Sequence, residues 1–408
     1  MKIDPAGAGF APDRLDRITS HMNENYMNPG KIAGCQIMLA RKGIPAYFRS
    51  FGDMDRERSK PMADDTIFRI YSMTKPITSV ALMMLYEEGR FQLNDAVSRF
   101  IPSWKGQRLW VAGEGEQMKT KAPNSPVTMR HVLSHTAGLS YGGLLPDTEL
   151  HPVDQVYEDL GVKRDQDETV ASFAEKMSQT PLLYEPGTAW KYSLATDVCG
   201  CLVEFISGMP FEQFLQERLF APLGMVDTSF SVPADKVDRF SAAYGRKLDK
   251  SLFLMDDPTN STYTKVPSFP SGGGGLVSTT QDYARFCDML RCGGTLDGQR
   301  ILSSRTLNMM TRNHLFQEQD LSQVAVGGFS ETDYDGVGFG LGFASTLDEV
   351  RSGTIGAGDM YWGGMASTIF WVDPLEDLYL VFMTQLIPSG YFNFRGQLKN
   401  IVYGALEN

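Results

Sequence analysis

The chain has 408 residues, of which 42% are hydrophobic and 21% are charged. These values are typical of a globular protein with one large or two intertwined domains, and they exclude a disordered chain. The formal net charge of −11 at pH 7 would repel a phosphate backbone or an anionic lipid surface. We therefore expect neither nucleic acid nor a membrane as a partner.

The sequence also limits the compartment and the cofactors. The amino terminus lacks the apolar run of a signal peptide, and no later stretch approaches the roughly 20 apolar residues of a membrane span. We therefore expect a cytoplasmic protein. The five cysteines show no CxxC pair and the five histidines show no HExxH spacing. We expect reduced core thiols, no metal site and no cofactor.

The amino-terminal region begins with a helix and a hairpin. Apolar residues at helical spacing predict a helix over residues 12–27. The stretches AGCQIMLARKG and IPAYFRSFG are predicted as two strands joined at Lys42-Gly43. After Ser72, apolar residues recur on one face of a predicted helix that ends at Gly89.

The middle of the chain is predicted to be helical and rich in loops. Helical windows occur at 168–179 and 196–207, and there is little strand alternation between about 90 and 265. The segment SGGGGLVSTTQDYARF, which begins at Ser271, predicts a tight glycine turn followed by a helix. Ser278 and Gln281 have the spacing of a capping box for that helix. An anion-binding nest is the alternative interpretation of the glycines.

Strand patterns return near the carboxyl terminus. Segments 336–346, 366–374 and 377–386 are predicted strands, and 392–405 is a predicted closing helix. Strands near both termini predict one sheet built from both ends of the chain. We expect an α/β (α+β) fold in which 1–75 and 266–408 form a sheet domain, 76–265 form a helical, loop-rich domain, and the active site lies in the cleft between them.

Two serines are candidate nucleophiles. Ser140 lies in the GxSxG pattern Gly138-x-Ser140-x-Gly142, but in an α/β-hydrolase this motif follows a strand and opens a helix. Here the flanking segments are predicted as a short helix and a loop. Ser72 opens a Ser-x-x-Lys motif, follows a strand-like segment and stands at the start of the predicted helix, whose dipole favours developing negative charge.

The lysine of that motif, Lys75, lies three residues after Ser72. This spacing places both side chains on one face of a helix. Burial would disfavour the ammonium form of Lys75, so that a neutral amine can accept the serine proton. The alternative is a helix-capping serine beside a surface lysine.

Three motifs in chain order indicate a family: Ser72-Met73-Thr74-Lys75, Tyr192-Ser193-Leu194 and Trp362-Gly363-Gly364. With phrases such as LSHTAGL and EPGTAWKYS, they resemble the serine β-lactamase and penicillin-binding protein superfamily. The resemblance runs from about residue 12 to about 386 and is greatest to its class C-like esterases, the family VIII carboxylesterases. It implies a β-lactamase-like fold, an antiparallel sheet of about five or more strands flanked by helices. A mainly helical domain would be inserted in that sheet, and the third motif would lie on an edge strand.

The resemblance also implies roles for individual residues. Ser72 would attack an ester carbonyl, with Lys75 and Tyr192 sharing its proton. The backbone N–H groups of Ser72 and Met365 would form the oxyanion hole. A neighbouring ammonium favours the phenolate of Tyr192, which makes this residue a candidate base and then the acid for the leaving alcohol. Which of Lys75 and Tyr192 is the resting base stays open at this point, because such a pair titrates together.

Two departures from the family pattern narrow the expected substrate. Leu194 stands where the second motif normally ends in asparagine, and Trp362 stands where the third normally begins with lysine or histidine. Both polar contacts for a β-lactam or a D-Ala-D-Ala peptide are therefore absent. An indole suits an uncharged ester, and Gly363 and Gly364 would let that ester approach the strand closely.

We therefore expect a serine carboxylesterase that acts on small to medium uncharged esters. The alternatives are a β-lactamase, D-amino-acid peptidase or amidase, an acyltransferase that uses the same residues, and a scaffold that does not turn over. The natural ester, its acyl length, the acceptor of the acyl group and the oligomeric state stay open at this point.

Overall fold

The computed structural model describes residues 1–144, 150–162, 168–327 and 331–407. The strands are β1 (Gly34–Arg41), β2 (Ile44–Asp55), β3 (Lys60–Pro61), β4 (Ile67–Arg69), β5 (Leu109–Ala112), β6 (Lys119–Lys121), β7 (Ala243–Arg246), β8 (Leu252–Asp256), β9 (Val277–Thr279), β10 (Thr295–Leu296), β11 (Gln299–Arg300), β12 (Val337–Phe339), β13 (Ala344–Thr346), β14 (Met360–Gly363), β15 (Ile369–Asp373), β16 (Leu378–Thr384) and β17 (Leu386–Ile387).

The helices are α1 (Pro12–Leu15), α2 (Arg17–Met22), α3 (Thr74–Glu87), α4 (Met129–Leu133), α5 (Pro152–Asp159), α6 (Val170–Gln179), α7 (Ala195–Ser207), α8 (Phe211–Leu215), α9 (Ala221–Leu223), α10 (Thr280–Arg291), α11 (Ser304–Thr311), α12 (Leu321–Val324), α13 (Glu349–Ser352) and α14 (Phe394–Tyr403). A π-helical turn, Asn23–Met27, continues α2, so the helix predicted over residues 12–27 is confirmed.

The largest sheet has eight strands in the order β12-β13-β14-β15-β16-β1-β2-β3. Its neighbouring strands run antiparallel, and β1 pairs with β16 from Cys35↔Thr384 to Arg41↔Leu378. The expectation that one sheet is built from both ends of the chain is therefore confirmed. Every residue of β1 is buried, because the sheet is covered on both faces.

The long helices agree with their sequence patterns, with one difference. The helix predicted after Ser72 is α3, and every residue from Thr74 to Leu85 in it is buried. The sequence predicted one buried face, but α3 packs against α7 and has little contact with water. A helix that is apolar over most of its surface is typical of such a central position.

Four details of the prediction are wrong. The middle region contains two hairpins, β5–β6 and β7–β8, and β7 also pairs in parallel with β17. The cap of α10 is Thr279, whose side chain accepts from the N–H of Asp282; Ser278 does not cap it. Cys292 is exposed, whereas the other four cysteines are buried. Finally, β14 does not lie at an edge, because β13 and β12 continue the sheet beyond it.

The division into a sheet domain and an inserted helical domain stays a prediction. The segment from α3 to β8 contains half of the α-helices of the described chain, α3 to α9. One hydrophobic core nevertheless includes residues from both predicted domains, such as Ile37 and Phe382 from the sheet and Val198 from α7.

Candidate active site

Ser72 lies in a short 3₁₀ turn, Tyr71–Met73, between strand β4 and helix α3. The preceding residue, Tyr71, has a φ of 41°. A positive φ is unfavourable for a residue with a side chain, and such conformations cluster at functional sites. The strained turn places Ser72 just before the amino-terminal end of α3. Ser72 is 8% exposed, so its hydroxyl is close to the surface but not open to it.

Lys75 reaches both the serine and a glycine loop. Its Nζ lies 3.1 Å from Ser72 Oγ and donates to the carbonyl oxygen of Gly273 at 2.6 Å. Lys75 is only 1% exposed, which excludes the alternative of a surface lysine. The three-residue spacing in the sequence is thus matched by direct contact in the structure.

The glycine loop that contacts Lys75 is held by the carboxylate of Asp197 in α7. Asp197 Oδ1 accepts from Ser271 Oγ at 2.5 Å and from the N–H of Gly273 at 3.1 Å. A Cβ on Gly273 would lie 2.3 Å from Asp197 Oδ2, so a larger residue there would displace the carboxylate. The sequence predicted a structural turn here and missed its contact with Lys75. No spacing pattern links residues so far apart in the chain.

Tyr192 lies at the same site. Its ring centroid is 4.6 Å from Lys75 Nζ, its side chain is hydrogen-bonded to Ser72, and the indole Nε1–H of Trp362 donates to its hydroxyl at 3.2 Å. Burial raises the pKa of Tyr192 well above its ordinary value, with the nearby Tyr141 as the next contribution. The hydrogen bond from Ser72 opposes this only in part. Burial therefore favours the neutral phenol over the phenolate, and the roles of Lys75 and Tyr192 stay predictions.

Aromatic side chains enclose Tyr192. Ring centroids of Tyr141, Trp362 and Trp190 lie 5.2, 5.3 and 6.2 Å away, and Trp190 is stacked nearly parallel to it. Phe339 contacts both tryptophans. These rings exclude water from the phenol, which accounts for its raised pKa.

His135, from the phrase LSHTAGL, packs behind Tyr192. The two rings are 5.2 Å apart, and the imidazole nitrogens lie 3.2 Å from Ser193 Oγ and from Thr196 Oγ1. Burial, and then the charge of Lys75, lower the pKa of His135 well below its ordinary value. A neutral imidazole therefore joins the Tyr192 motif to α7. The sequence did not single out His135, although its phrase belonged to the family resemblance.

The third motif forms the end of strand β14. A Cβ on Gly364 would lie 2.4 Å from the carbonyl oxygen of Ile70 and 2.4 Å from Thr368 Oγ1. Glycine therefore allows this strand end to approach the turn that carries Ser72. Met365 packs with Tyr71 in one apolar cluster, next to that turn. This arrangement is compatible with the predicted oxyanion hole, which stays a prediction.

The hydrogen bonds of Ser140 are those of a residue that holds the fold together. Its hydroxyl donates to Asp154 Oδ1, its N–H donates to Tyr157 Oη at 3.0 Å, and it is 1% exposed. The carbonyl oxygen of Ser140 accepts from the N–H of Leu194 at 3.1 Å. These bonds join the loop to α5 and to the second motif, so the GxSxG pattern here is not a nucleophile elbow.

The described residues bear on metal binding and on membrane insertion in two ways. No group of three or more His, Cys, Asp or Glu side chains there is arranged to hold a metal ion. No single helix in the same residues has the length and apolar composition of a membrane span. The helical segments 195–207 and 211–223 reach that length and composition only as a pair, across an 83° bend.

Known proteins of similar sequence include esterases and acyltransferases. The family model described as Beta-lactamase matches residues 19–399. Esterase EstB of Burkholderia gladioli is 30% identical over 411 residues, which cover 95% of this chain and 95% of that protein. Acyltransferase calJ of Penicillium decumbens is 26% identical over 346 residues, which cover 81% of this chain and 78% of that protein.

A solved structure shows the same fold. The protein described as EstCE1, a hydrolase with promiscuous acyltransferase activity, is 29% identical and superimposes with a TM-score of 0.79. The match covers 96% of this chain and 99% of that chain. The expected β-lactamase-like fold is confirmed, and so is the expected class, a serine hydrolase related to esterases and acyltransferases. The chain belongs to the β-lactamase family.

Proposed function

We propose that this protein is a serine carboxylesterase that hydrolyses small to medium uncharged esters through an acyl-enzyme on Ser72. The observation that carries the proposal is the contact of three side chains from two distant motifs. Ser72 Oγ, Lys75 Nζ and the Tyr192 ring meet in one buried place. Nucleophilic catalysis requires a hydroxyl beside groups that can take up and return its proton.

The raised pKa of Tyr192 favours one assignment of roles. In our proposal the amine of Lys75 accepts the Ser72 proton as Oγ bonds to the ester carbonyl carbon. The phenol of Tyr192 donates its proton to the leaving alcohol oxygen as the C–O bond breaks. Lys75 then passes its proton to Tyr192, which restores both groups before water attacks the acyl-enzyme.

The backbone N–H groups of Ser72 and Met365 would stabilise the negative oxygen formed in each step. Losing such a donor typically costs about 10²–10³-fold in rate. The small size of Gly363 and Gly364 would leave room for the substrate beside the strand backbone, as their place at the end of β14 suggests.

Trp362 supports an uncharged substrate. Family members with lysine or histidine at this position present a cation, whereas the indole here donates a neutral hydrogen bond to the Tyr192 hydroxyl. Leu194 is fully buried and offers no amide. A β-lactamase, D-amino-acid peptidase or amidase would therefore lack both polar contacts of its substrate, so we place that reading second.

Acyl transfer to an alcohol is the alternative that the relatives favour. The protein similar to this chain in Penicillium decumbens is described as an acyltransferase, and EstCE1 is described as a hydrolase with promiscuous acyltransferase activity. Both reactions share the acyl-enzyme and differ only in the nucleophile that releases it. Product analysis with an added alcohol separates them.

The test combines labelling with turnover. We expect a fluorophosphonate to modify the Ser72 peptide, with hydrolysis of a p-nitrophenyl butyrate-type ester lost in step. Ser72→Ala should abolish both, and Ser140→Ala should keep both, because the Ser140 hydroxyl donates to Asp154 and does not contact Ser72, Lys75 or Tyr192. Label on the Ser140 peptide would refute the mechanism. Absence of both label and turnover would show a scaffold that does not catalyse.

A further inference from the structure

A polar pocket lies beside the end of strand β14. Its volume is about 220 Å³, and its lining includes Glu331, Gly364, Thr368, Ser389 and Arg395. Gly364 is the last residue of the third motif and lies against the carbonyl oxygen of Ile70, just before the turn that carries Ser72. Pockets that hold whole small molecules measure roughly 300–1,000 Å³. This pocket is therefore large enough for one part of a substrate but not for a whole one.

Three polar atoms of the lining side chains are buried and have no hydrogen-bond partner within the described residues. They are Glu331 Oε1, Thr368 Oγ1 and Arg395 Nε. Folded proteins pair nearly all of their buried polar atoms, because an unpaired one keeps the cost of losing water. A polar group bound in the pocket would pair these three atoms, which makes the pocket a candidate site for such a group.

The other polar atoms of these side chains are already engaged. Ser389 Oγ donates to Glu331 Oε2 at 2.9 Å, and both terminal nitrogens of Arg395 donate to the backbone oxygen of Glu331 at 3.1 Å. These bonds hold the two charged side chains in place. The unpaired set is thus one acceptor on Glu331, one donor on Arg395 and one hydroxyl that can do either.

The chemistry of this set selects the ligand group. A carboxylate would be repelled by Glu331, and an ammonium would meet the guanidinium of Arg395. A hydroxyl both donates and accepts, so it can pair Glu331 and Arg395 at once. Burial raises the pKa of Glu331, opposed by Ser389, Lys75 and Arg395. A hydroxyl pairs equally well with a carboxylate or a carboxylic acid.

We infer that this pocket is a subsite for a hydroxyl group of the ester substrate, carried several bonds from the reacting carbonyl. The inference rests on the proposed esterase function and adds a substrate class, hydroxylated esters. Glu331, Thr368 and Arg395 become specificity-determining residues. They lie outside the Ser72, Lys75 and Tyr192 group and do not take part in proton transfer.

The first experiment measures binding without turnover. In the Ser72→Ala chain, calorimetry compares methyl alkanoates and alkyl acetates of increasing length with their ω-hydroxy analogues. We expect at least one hydroxylated ester to bind about tenfold tighter than its plain partner, since a site built for a hydroxyl rejects the analogue that lacks it. Adding Thr368→Val should remove most of this preference.

The second experiment measures kcat/KM for the same pairs with Ser72 intact. Thr368→Val and Glu331→Leu should lower the preference for the hydroxylated ester about tenfold. Taking the ratio of two substrates cancels any effect of Glu331 on Lys75 or Tyr192. The matched control is Thr306→Val, which removes a buried hydroxyl in α11, away from the pocket. It should leave the preference unchanged.

The outcomes separate the two proposals. Hydroxyl preference in the Ser72→Ala chain without turnover in the intact chain would support the subsite and reject the esterase function. Turnover with equal preference in wild type, Thr368→Val and Glu331→Leu would reject the subsite alone. Tighter binding of an ω-amino or ω-carboxyl analogue would also overturn the hydroxyl assignment. If Glu331→Leu does not fold, Thr368→Val decides the question.

Discussion

At the scale of single residues, the protonation of Tyr192 decides how the reaction can proceed. Its phenol is buried among aromatic rings, and burial raises its pKa well above the ordinary value. A phenol that keeps its proton is suited to donate one, so the proposed mechanism assigns Tyr192 to protonation of the leaving group. The amine of Lys75 is then left to accept the proton of Ser72.

Tyr192→Phe tests this division of roles through the leaving group. A p-nitrophenolate leaves without protonation, whereas an alkoxide requires it. We expect kcat/KM, which reports acylation, to fall about 10²–10⁴-fold for an alkyl ester and much less for the p-nitrophenyl ester of the same acid. An equal loss with both esters would instead identify Tyr192 as the base that activates Ser72.

At the scale of secondary-structure elements, the site depends on how closely a strand end and a helix start approach each other. Strand β14 ends at Gly363, and the next residue, Gly364, contacts the carbonyl of Ile70 in the turn before α3. Gly364 is therefore required by packing as well as by substrate access. A Cβ on Gly273 would instead displace the carboxylate of Asp197, which holds the glycine loop.

Gly364→Ala should push the end of strand β14 away from the turn before α3. Its Cβ would lie 2.4 Å from the Ile70 carbonyl oxygen, and backbone atoms cannot move aside as a flexible side chain can. We expect a loss of stability of about 1–3 kcal/mol and a loss of turnover by at least about 10²-fold, measured by denaturant unfolding and ester hydrolysis. Gly106→Ala is the control, since nothing lies within 4 Å of its Cβ. Normal activity in Gly364→Ala would contradict the proposed contact.

Helix α4 carries a capping box that makes stability depend on pH. Thr128 N–H donates to His131 Nδ1 at 3.2 Å, and the N–H of His131 donates to Thr128 Oγ1 at 3.4 Å. Burial, with the charge of Arg130 next, lowers the pKa of His131 from 6.5 to about 4. Between these values the unfolded chain binds a proton that the folded chain does not. Stability therefore falls as the pH drops through this window.

His131→Gln should remove this dependence and keep the cap, because glutamine is a usual partner in a capping box. Each pKa unit corresponds to about 1.36 kcal/mol, and partial exposure reduces the effect. We expect the free energy of unfolding of the variant to fall about 2–3 kcal/mol less than that of wild type between pH 7 and pH 4. Denaturant titrations at several pH values measure this free energy. If it falls with pH by the same amount in the variant and in wild type, the prediction is refuted.

At the scale of the whole molecule, a buried ion pair fastens the carboxyl-terminal helix to the sheet. Lys399 in α14 and Asp359 before β14 are 1% and 0% exposed, and they share a salt bridge. Lys399 Nζ also donates to the carbonyl oxygen of Ile355, and Asp359 Oδ1 accepts from the N–H of Thr346. The pair thus joins α14, β13 and the segment that leads into the third motif.

Lys399→Met should leave Asp359 buried without its partner, which typically costs about 3–5 kcal/mol. The double variant Asp359→Asn with Lys399→Met should recover most of that loss, because no unpaired charge stays buried. Urea unfolding of wild type, both single variants and the double variant measures the coupling. If the free energy of unfolding of a single variant lies within about 1 kcal/mol of wild type, the ion pair contributes little to stability.

Local sequence patterns were sufficient to predict several features of the fold and of the candidate site. The spacing of Ser72 and Lys75 determines their contact, since a helical turn has one geometry. The long helices and the hairpin at Lys42-Gly43 follow from periodicity and turn residues. Three ordered motifs were sufficient to indicate the family, because together they are far more specific than any one of them.

Other features depend on contacts between segments far apart in the chain, and only the tertiary structure decided them. The contact of Lys75 with Gly273, the pairing of β7 with β17 and the inner position of β14 are of this kind. The protonation of Tyr192 is another, because a pKa depends on all the groups that surround a side chain and on the exclusion of water. The sequence by itself indicated which residues are candidates for the chemistry, and three-dimensional packing decided their burial and their hydrogen-bond partners.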